Sequence, residues 1–204
     1  MTKLIKALSA GFALLGGLAL APVTAAQPAP QGEVGAQPVL LAAHPELRDP
    51  DWVETVLLAA PLPNGGHVGV IINRPTRTTL GELFPGHASS QKIVDPVHYG
   101  GPFSSEAVVA LVRSGASPGA GSLALGAELF LAIAGRTIDR VIEQTPDAAR
   151  YYVGLVVWQP GELATELAKG LWSVHKADAR TVFRKDTKGL WQELSRPERG
   201  LRAA

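Results

Sequence analysis

The chain has 204 residues, of which 46% are apolar and 18% are charged, a composition that allows a hydrophobic core and excludes collagen-like and intrinsically disordered chains. It contains no cysteine, which excludes disulfide frameworks, thiolate catalysis, zinc fingers, iron–sulfur clusters and the lipid-modified cysteine of a bacterial lipoprotein. The formal net charge is +1, and this near-neutral balance gives no support for a nucleic-acid partner.

Residues 1–26 have the pattern of a Sec-type signal peptide. Lys3 and Lys6 precede an apolar stretch rich in Leu and Ala, and small residues follow it. We expect cleavage after Ala25 or Ala26. An uncleaved membrane anchor is the alternative, but the apolar stretch is at the lower limit of length for crossing a bilayer. We therefore expect a periplasmic or secreted protein with no membrane span after signal removal.

The remaining chain is expected to contain a tether and one domain. Residues 27–37 are rich in Gln, Pro, Ala and Gly and cannot bury an apolar face, which predicts a flexible tether. Residues 38–204 have a length suited to a single domain.

Apolar runs between turn residues predict seven strands, at residues 38–43, 53–60, 67–73, 96–99, 107–113, 128–133 and 151–158. The second and third form a hairpin around the turn at residues 63–66. Residues 128–133 would suit a helix as well, but Gly135 separates them from the next helical pattern. Residues 49–52 predict a one-turn helix start, and residues 79–82 form a capping box that predicts a short helix. A helical pattern begins at residue 138, and further helices are predicted over residues 160–169, 178–183 and 188–194. The mixture indicates a mixed α/β or α+β domain.

Residues 115–119 match the G-x-S-x-G pattern of a hydrolase nucleophile, with Ser117 as the candidate. This chemistry needs a tight turn from a strand into a helix, which exposes the serine hydroxyl. A predicted strand precedes Ser117, but residues 118–121 read Pro-Gly-Ala-Gly and indicate a loop. We interpret Ser117 as a loop residue and keep a hydrolase as the alternative.

The histidines are scattered along the chain, at positions 44, 67, 87, 98 and 175. No pair has the helical spacing that directs two ring nitrogens toward one metal, so we predict no metal site and no cofactor. His44 and Asp49 would form an acid–base pair if the turn between them closes. Surface or capping roles are the preferred interpretation, and we predict no catalytic residue.

Glu162 and Glu166 lie four residues apart on one predicted helix, a spacing at which two carboxylates can act on one cation or bound group. A solvated helix face is the preferred interpretation, because the helix dipole stabilises a carboxylate in the first turn without any catalytic role. The four tryptophans lie beside apolar residues and are predicted to anchor the core.

Two predicted strands end in residues suited to anion binding. Asn73 and Arg74 follow an apolar strand and precede Pro75, which prevents its continuation. Gly100 and Gly101 end a later strand, where their N–H groups could approach an anion or a peptide carbonyl closely. If the two strands are neighbours, these four residues form an anion-binding corner, which is our candidate ligand site. The structural alternative is that Asn73 and Arg74 hydrogen-bond the glycine-rich turn and hold the curvature of the sheet.

Several motifs occur in a specific order: Asp-Pro at 49–50, Thr-Val-Leu-Leu at 55–58, Gly-Val-Ile-Ile-Asn-Arg-Pro at 69–75, Gly-Gly-Pro at 100–102, Trp-Gln-Pro-Gly-Glu-Leu at 158–163, Glu-Leu at 166–167, Trp at 172, Ala-Asp at 177–178 and Trp at 191. In these motifs the chain resembles the YqgE/AlgH family, also called UPF0301 or DUF179, from Pro38 to about Leu194. The resemblance implies an α+β fold, in which a bifurcated, mostly antiparallel sheet curls into a pseudo-barrel with flanking short helices. The chain departs from the family pattern at Glu162, where Gln is usual, at Lys176, where Pro is usual, and in its export signal.

The family is largely uncharacterised, and the resemblance carries over no catalytic residue. Parts of it are labelled as transcriptional regulators of exopolysaccharide production, but an export signal argues against direct action on DNA. We favour a non-enzymatic envelope protein that binds an unknown small anionic ligand or a protein partner, with or without a regulatory effect. The alternatives are a hydrolase-like enzyme that uses Ser117 or the His44–Asp49 pair, and a DNA-binding regulator.

Overall fold

The computed structural model describes residues 37–126 and 128–196, so the predicted signal peptide and nearly all of the predicted tether lie outside the described residues. The strands are β1 (Val39–Ala43), β2 (Val56–Pro61), β3 (His67–Ile71), β4 (Pro75–Thr79), β5 (Pro96–Tyr99), β6 (Phe103–Arg113), β7 (Ser122–Ala124), β8 (Leu129–Ala132), β9 (Ala149–Trp158) and β10 (Trp172–Lys176). The helices are α1 (Leu80–Leu83), α2 (Gly135–Gln144), α3 (Glu162–Ala168), α4 (Ala179–Val182) and α5 (Leu190–Leu194). Short 3-10 turns lie at Ser90–Lys92 and Pro146–Ala148. No helix in the described part of the chain is long and apolar enough to cross a membrane.

The strands form one sheet that divides at β9. The main order is β10-β1-β2-β3-β9-β6-β8-β7, while β4 pairs with β5 and β5 pairs with β9. The β5–β9 pairing is parallel, and the other pairings between described strands are antiparallel. Residues 156–158 of β9 pair with β3, whereas residues 149–155 lie along β6. The predicted α+β class, with a mostly antiparallel, curled sheet and short helices, is confirmed.

The apolar runs of β1 and β2 are buried on both faces of the sheet. Because side chains alternate along a strand, neighbouring leucines enter different parts of the core. Leu40 and Leu58 pack in one cluster with β6, α4 and α5, whereas Leu41 and Leu57 pack in a second cluster with α3. This two-sided burial explains why both strands are continuously apolar rather than alternating.

Helix α2 covers the end of the sheet formed by β6 and β8. Its buried face carries Ile138, Val141 and Ile142, which pack against Ala110 and Ala132. Their spacing is that of an amphipathic helix, which confirms the helix predicted from residue 138.

The predicted capping box at α1 is confirmed. The Thr79 hydroxyl accepts a hydrogen bond from Glu82 N at 3.3 Å, and the Glu82 carboxylate accepts one from Thr79 N at 2.7 Å. These two bonds satisfy N–H groups at the start of the helix that have no partner within it.

Two helix predictions need correction. Residues 49–52 form a turn and not a helix start, because Glu54 takes a left-handed backbone conformation, with φ 54°, that ends the turn. Helix α3 begins at Glu162 and not at Pro160, because Gly161 is left-handed, with φ 80°, and acts as its N-cap.

Each predicted strand is present, but the second begins at Val56 and not at residue 53, and the third ends at Ile71 and not at residue 73. The structure adds three strands that the sequence did not predict. They are β4, β7 and β10, which are short strands with partly polar sequences. Among the described strands, β4 pairs only with β5, β7 only with β8 and β10 only with β1, so each lies at an edge of the sheet. Edge strands do not need an apolar run, and the periodicity analysis therefore had no signal for them.

Candidate functional site

The side chain of Asn73 holds the backbone turn that precedes β2. Its Oδ1 atom accepts a hydrogen bond from Val56 N at 2.9 Å, and its Nδ2 atom donates one to the Glu54 carbonyl at 2.9 Å. Glu54 is one of two non-glycine residues with positive φ in the described part of the chain. Because a left-handed conformation is unfavourable for such a residue, the Asn73 bonds hold a strained turn in place.

Arg74 binds the same turn from its other side. Its Nη2 atom donates to the Val53 carbonyl at 3.0 Å and to the Thr55 hydroxyl at 2.7 Å. The Arg74 carbonyl accepts a hydrogen bond from Tyr99 N at 2.9 Å, which joins it to the end of β5. Arg74 therefore links the turn before β2 to the strand that leads into the glycine pair.

Gly100 and Gly101 lie where the chain approaches β9 closely. The N–H group of Gly100 donates to the Val153 carbonyl at 2.8 Å. A Cβ atom at Gly100 would overlap the carbonyl of Gly154, and a Cβ atom at Gly101 would overlap the backbone of Leu155. Both glycines are therefore required by backbone packing, and the Gly100 N–H group is bound to protein.

The structure brings the four residues of the predicted corner together, since the Gly100 carbonyl accepts a hydrogen bond from Ile71 N at 2.9 Å and the Arg74 carbonyl accepts one from Tyr99 N. Asn73 and Arg74 lie between β3 and β4, and it is β4 and not β3 that pairs with β5. The contacts of Asn73 and Arg74 are those of the structural alternative, except that these side chains bind the turn at residues 53–56 and not the glycine-rich turn. Anion binding at the corner stays a prediction.

Ser117 lies in an exposed loop between β6 and β7. Its hydroxyl donates to the Gly119 carbonyl at 3.3 Å and accepts a bond from Gly119 N at 3.3 Å. The element that follows is strand β7 and not a helix, so Ser117 lacks the turn into a helix that a nucleophile of this type needs.

His44 and Asp49 each bind their own turn. The His44 Nδ1 atom accepts a hydrogen bond from Glu46 N at 3.3 Å, and the Asp49 carboxylate accepts one from Asp51 N at 2.9 Å. The contacts in the described part of the chain do not pair the two side chains, which take the capping roles preferred in the sequence analysis.

Glu162 and Glu166 have different environments despite their spacing. The Glu162 carboxylate accepts a hydrogen bond from Gln159 N at 2.8 Å near the start of α3. Glu166 is buried, and its Oε2 atom accepts bonds from the indole N–H groups of Trp158 at 2.9 Å and Trp172 at 2.8 Å. The solvated-face interpretation is therefore wrong for Glu166, which joins α3 to two strands.

A serine, a histidine and a glutamate come close to one another near α2. His87 Nδ1 lies 2.6 Å from the Ser90 hydroxyl, and His87 Nε2 lies 3.8 Å from the Glu143 carboxylate. Ser90 has no solvent exposure, so a substrate cannot reach its hydroxyl. These contacts connect the 3-10 turn to α2, and we assign them a structural role.

A cleft of about 480 Å³ lies beside the β4–β5 pair. Pro75 and His98 are paired across these strands, and both line the cleft. Ile93, Val94 and Phe183 supply apolar surface, and the rest of the lining is largely polar or charged. A volume of this order accommodates a small-molecule ligand.

His98 forms part of the cleft wall and is only 6% exposed, and its Nδ1 atom has no hydrogen-bond partner in the described part of the chain. Burial lowers the pKa of His98 to about 4, and the nearby Arg150 charge acts in the same direction, whereas a hydrogen bond to the Pro96 backbone and the Asp95 charge oppose it. At neutral pH the ring is therefore uncharged, with one nitrogen that donates and one that accepts.

Tyr151 is the second buried polar group on the cleft wall. It is 5% exposed, and its hydroxyl has no partner among the described residues. Burial raises the pKa of the Tyr151 hydroxyl, and the charge of Asp147 acts in the same direction. The hydroxyl therefore stays protonated and can both donate and accept a hydrogen bond. A buried polar group without a partner costs about 1–3 kcal/mol, and His67, Ser122 and Tyr152 carry further such atoms outside the cleft lining.

Charged side chains of both signs also line the cleft. Lys92 and Lys185 are cationic, and Asp95 and Asp147 are anionic. None of the four takes part in an ion pair within 4.0 Å between described residues. These charges are therefore available to a bound molecule.

Arg150 holds one wall of the cleft in position. Its Nη1 atom donates to the Val182 carbonyl at 2.9 Å, and its Nη2 atom donates to the Arg184 carbonyl at 2.8 Å. These bonds tie β9 to the segment that supplies Phe183 and Lys185 to the cleft. Arg150 also adds a third positive charge to the lining.

The family model described as AlgH-like, DUF179, matches residues 40–200. The chain belongs to the AlgH-like family. It is 33% identical to a UPF0301 protein of Streptomyces coelicolor over 171 residues, which cover 79% of this chain and 86% of the relative. It is 32% identical to a UPF0301 protein of Thermobifida fusca over 176 residues, which cover 79% of this chain and 86% of the relative.

Two solved structures are similar to this AlgH-like chain. The solution structure of the AlgH protein from Pseudomonas aeruginosa has a TM-score of 0.66 and 25% identity, and the match covers 85% of this chain and 94% of that protein. The crystal structure of protein DIP2367 from Corynebacterium diphtheriae has a TM-score of 0.67 and 20% identity, and the match covers 82% of this chain and 90% of that one. The second likeness shows the fold alone.

The motifs on which the AlgH-like resemblance rests and the residues of the cleft overlap only in part. Asn73, Arg74, Gly100 and Gly101 build the corner, whereas the charged residues of the cleft lie outside these motifs. The sequence analysis missed the cleft because its walls come from segments far apart in the chain. His98, directly before the Tyr-Gly-Gly run, was the one available signal.

Proposed function

We propose that this AlgH-like protein is a non-enzymatic binding protein that takes a small anionic ligand in the cleft beside β5. The observation that carries the proposal is the positive charge of the cleft lining, where Lys92 and Lys185 form no ion pair between described residues.

The charges of the cleft favour an anion. Lys92, Lys185 and Arg150 outnumber the two carboxylates, so the lining carries an excess of positive charge. The two lysines form no ion pair with described residues, and their ammonium groups can turn toward a ligand.

The corner of Asn73, Arg74, Gly100 and Gly101 is the second candidate position for the anion. Only the Nη2 atom of Arg74 is used in hydrogen bonds with described residues, which leaves its Nε and Nη1 groups as donors. Because the Nη2 atom of Arg74 already donates hydrogen bonds to the turn before β2, a ligand at the corner would have to bind to the remaining donors of this side chain.

We infer that the protein works outside the cytoplasm, since residues 1–26 have the pattern of a cleaved export signal. A regulatory effect, or contact with a protein partner, would then occur in the periplasm or beyond. The intact mass of the native protein is expected to begin at Ala26 or Gln27. A native protein that retains Met1 contradicts the export proposal.

A thermal-shift screen of phosphates, carboxylates and acidic sugars tests the proposed function. A ligand that binds only the folded state raises the melting temperature, because binding adds about 2.7 kcal/mol at a ligand concentration 100-fold above Kd. We expect the shift to disappear in Lys185→Ala and to remain in Lys188→Ala, an exposed lysine outside the cleft lining.

The screen also separates the two positions. A shift that is lost in Arg74→Ala and kept in Lys185→Ala would move the site to the corner. A wild-type protein that responds to no compound would contradict the proposal of a small anionic ligand at either position.

A further inference from the structure

We infer that the cleft ligand is a sugar phosphate, that is, a phosphate ester that also carries several hydroxyl groups. The inference rests on the proposed function and identifies the class of ligand. It follows from the types of hydrogen-bonding group on the cleft wall, considered together with their charges.

The lysine and aspartate side chains of the lining make opposite demands on a ligand. Lys92 and Lys185 can only donate hydrogen bonds, so they require acceptor atoms on the ligand. Asp95 and Asp147 carry carboxylates, which accept hydrogen bonds, so they require hydroxyl or amino donors. A simple inorganic anion meets the first requirement and is repelled by the second. The ligand must therefore combine an oxyanion with donor groups.

The charge balance of the lining indicates that the donors are hydroxyls and not ammonium groups. An amino acid would supply an ammonium donor, but it carries no net charge and would leave the excess positive charge of the lining unmatched. Hydroxyl groups supply the donors without cancelling the charge of the anion.

The positive charge of the cleft favours phosphate as the anion. A phosphate monoester carries a charge of about −1.5 to −2 at neutral pH and has three acceptor oxygens, which two lysines can share. Arg150 adds a third positive charge to the same lining. The apolar surfaces of Ile93 and Phe183 can cover the carbon atoms of a sugar or of an attached ring.

Isothermal titration calorimetry tests the inference with three ligands: methyl phosphate, ribose 5-phosphate and adenosine 5′-monophosphate. We expect ribose 5-phosphate to bind wild type at least about tenfold more tightly than methyl phosphate, since its hydroxyls add hydrogen bonds to charged groups. If adenosine 5′-monophosphate binds more tightly than ribose 5-phosphate, the ligand is identified as a nucleotide. If it binds equally well or more weakly, the ligand is identified as a free sugar phosphate.

Asp147→Ala gives the sharpest comparison, because the two kinds of ligand respond in opposite directions. Loss of the Asp147 carboxylate should weaken the binding of ribose 5-phosphate by about tenfold. Methyl phosphate should bind equally well or more tightly, because a repelling charge is removed. Methyl phosphate binding also reports that the variant is folded. Lys185→Ala should weaken both ligands by similar factors.

The possible failures are distinguishable. If Asp147→Ala tightens both ligands, or if wild type binds methyl phosphate as well as ribose 5-phosphate, the hydroxyl contacts are absent and the inference is overturned, while the proposed anion site stands. If wild type binds none of the three ligands, the inference is overturned, and a negative result with every compound of the anion screen would remove the proposed function as well.

Discussion

The guanidinium group of Arg74 lies 2.7 Å from the Thr55 hydroxyl and so joins the chain after β3 to the turn before β2. We expect Arg74→Ala to lower the free energy of unfolding by about 1–3 kcal/mol, because a buried acceptor loses its donor. Chemical denaturation measures this loss. Arg77→Ala, which removes an exposed arginine three residues away, should leave stability nearly unchanged. Equal stability of Arg74→Ala and wild type would contradict the structural role.

The glycine contact between the end of β5 and β9 gives a second prediction. Gly100→Ala should destabilise the protein by more than about 3 kcal/mol, because the added Cβ atom overlaps the Gly154 carbonyl, which is backbone and cannot move aside cheaply. Gly86→Ala is the matched control, since a Cβ atom there meets nothing within 4 Å. Thermal or chemical unfolding of both variants decides the matter, and a Gly100→Ala protein as stable as the control would refute the packing argument.

Much of the fold could be predicted from the sequence, because the strands that build the core are continuous apolar runs. β1, β2 and β9 are buried on both faces and therefore stand out by composition. The edge strands β4 and β10 carry alternating or polar residues and depend on pairing with a neighbour, which no local pattern encodes.

The candidate site was predictable only in part. The motif that contains Asn73 and Arg74 stands out in the sequence, but the turn that they bind lies about 20 positions earlier in the chain. The partner of Gly100, Gly154, is a further example of a contact that depends on the arrangement of the sheet. The cleft combines Lys92 with Lys185, and nothing in the sequence between them indicates that they line one cavity.

The buried Glu166 carboxylate should be essential to the packing of α3. Glu166→Leu removes the acceptor of two indole N–H groups and is expected to cost about 2–4 kcal/mol of stability. Glu166→Gln retains one acceptor oxygen and should lose less. The order of the two unfolding free energies, measured beside the tryptophan fluorescence of the folded proteins, checks this contact. A leucine variant more stable than the glutamine variant would contradict it.

The lowered pKa of His98 predicts a pH-dependent stability. The folded-state pKa is about 4 against an ordinary value of 6.5, so between these values the unfolded chain binds the proton more readily. The contribution of the neutral His98 ring to the free energy of unfolding is therefore fully present above pH 6.5 and is lost as the pH falls toward 4. The loss amounts to at most about 3 kcal/mol.

His98→Gln isolates this effect from the titration of carboxylates. As the pH is lowered from 6.5 to 4, the free energy of unfolding should fall less steeply in His98→Gln than in wild type. His44→Gln, at an exposed position, should follow wild type. Parallel curves for wild type and His98→Gln would show that the ring is not buried in its neutral form.

The central claim, that the cleft beside β5 is the anion site, is tested most directly by an NMR titration of isotope-labelled protein with ribose 5-phosphate. We predict that the backbone signals of Lys92, His98 and Lys185 shift progressively with ligand concentration, while those of residues 53–56 do not. Progressive shifts confined to residues 53–56 and the Arg74 corner, or no saturable shifts in the cleft, would contradict the account.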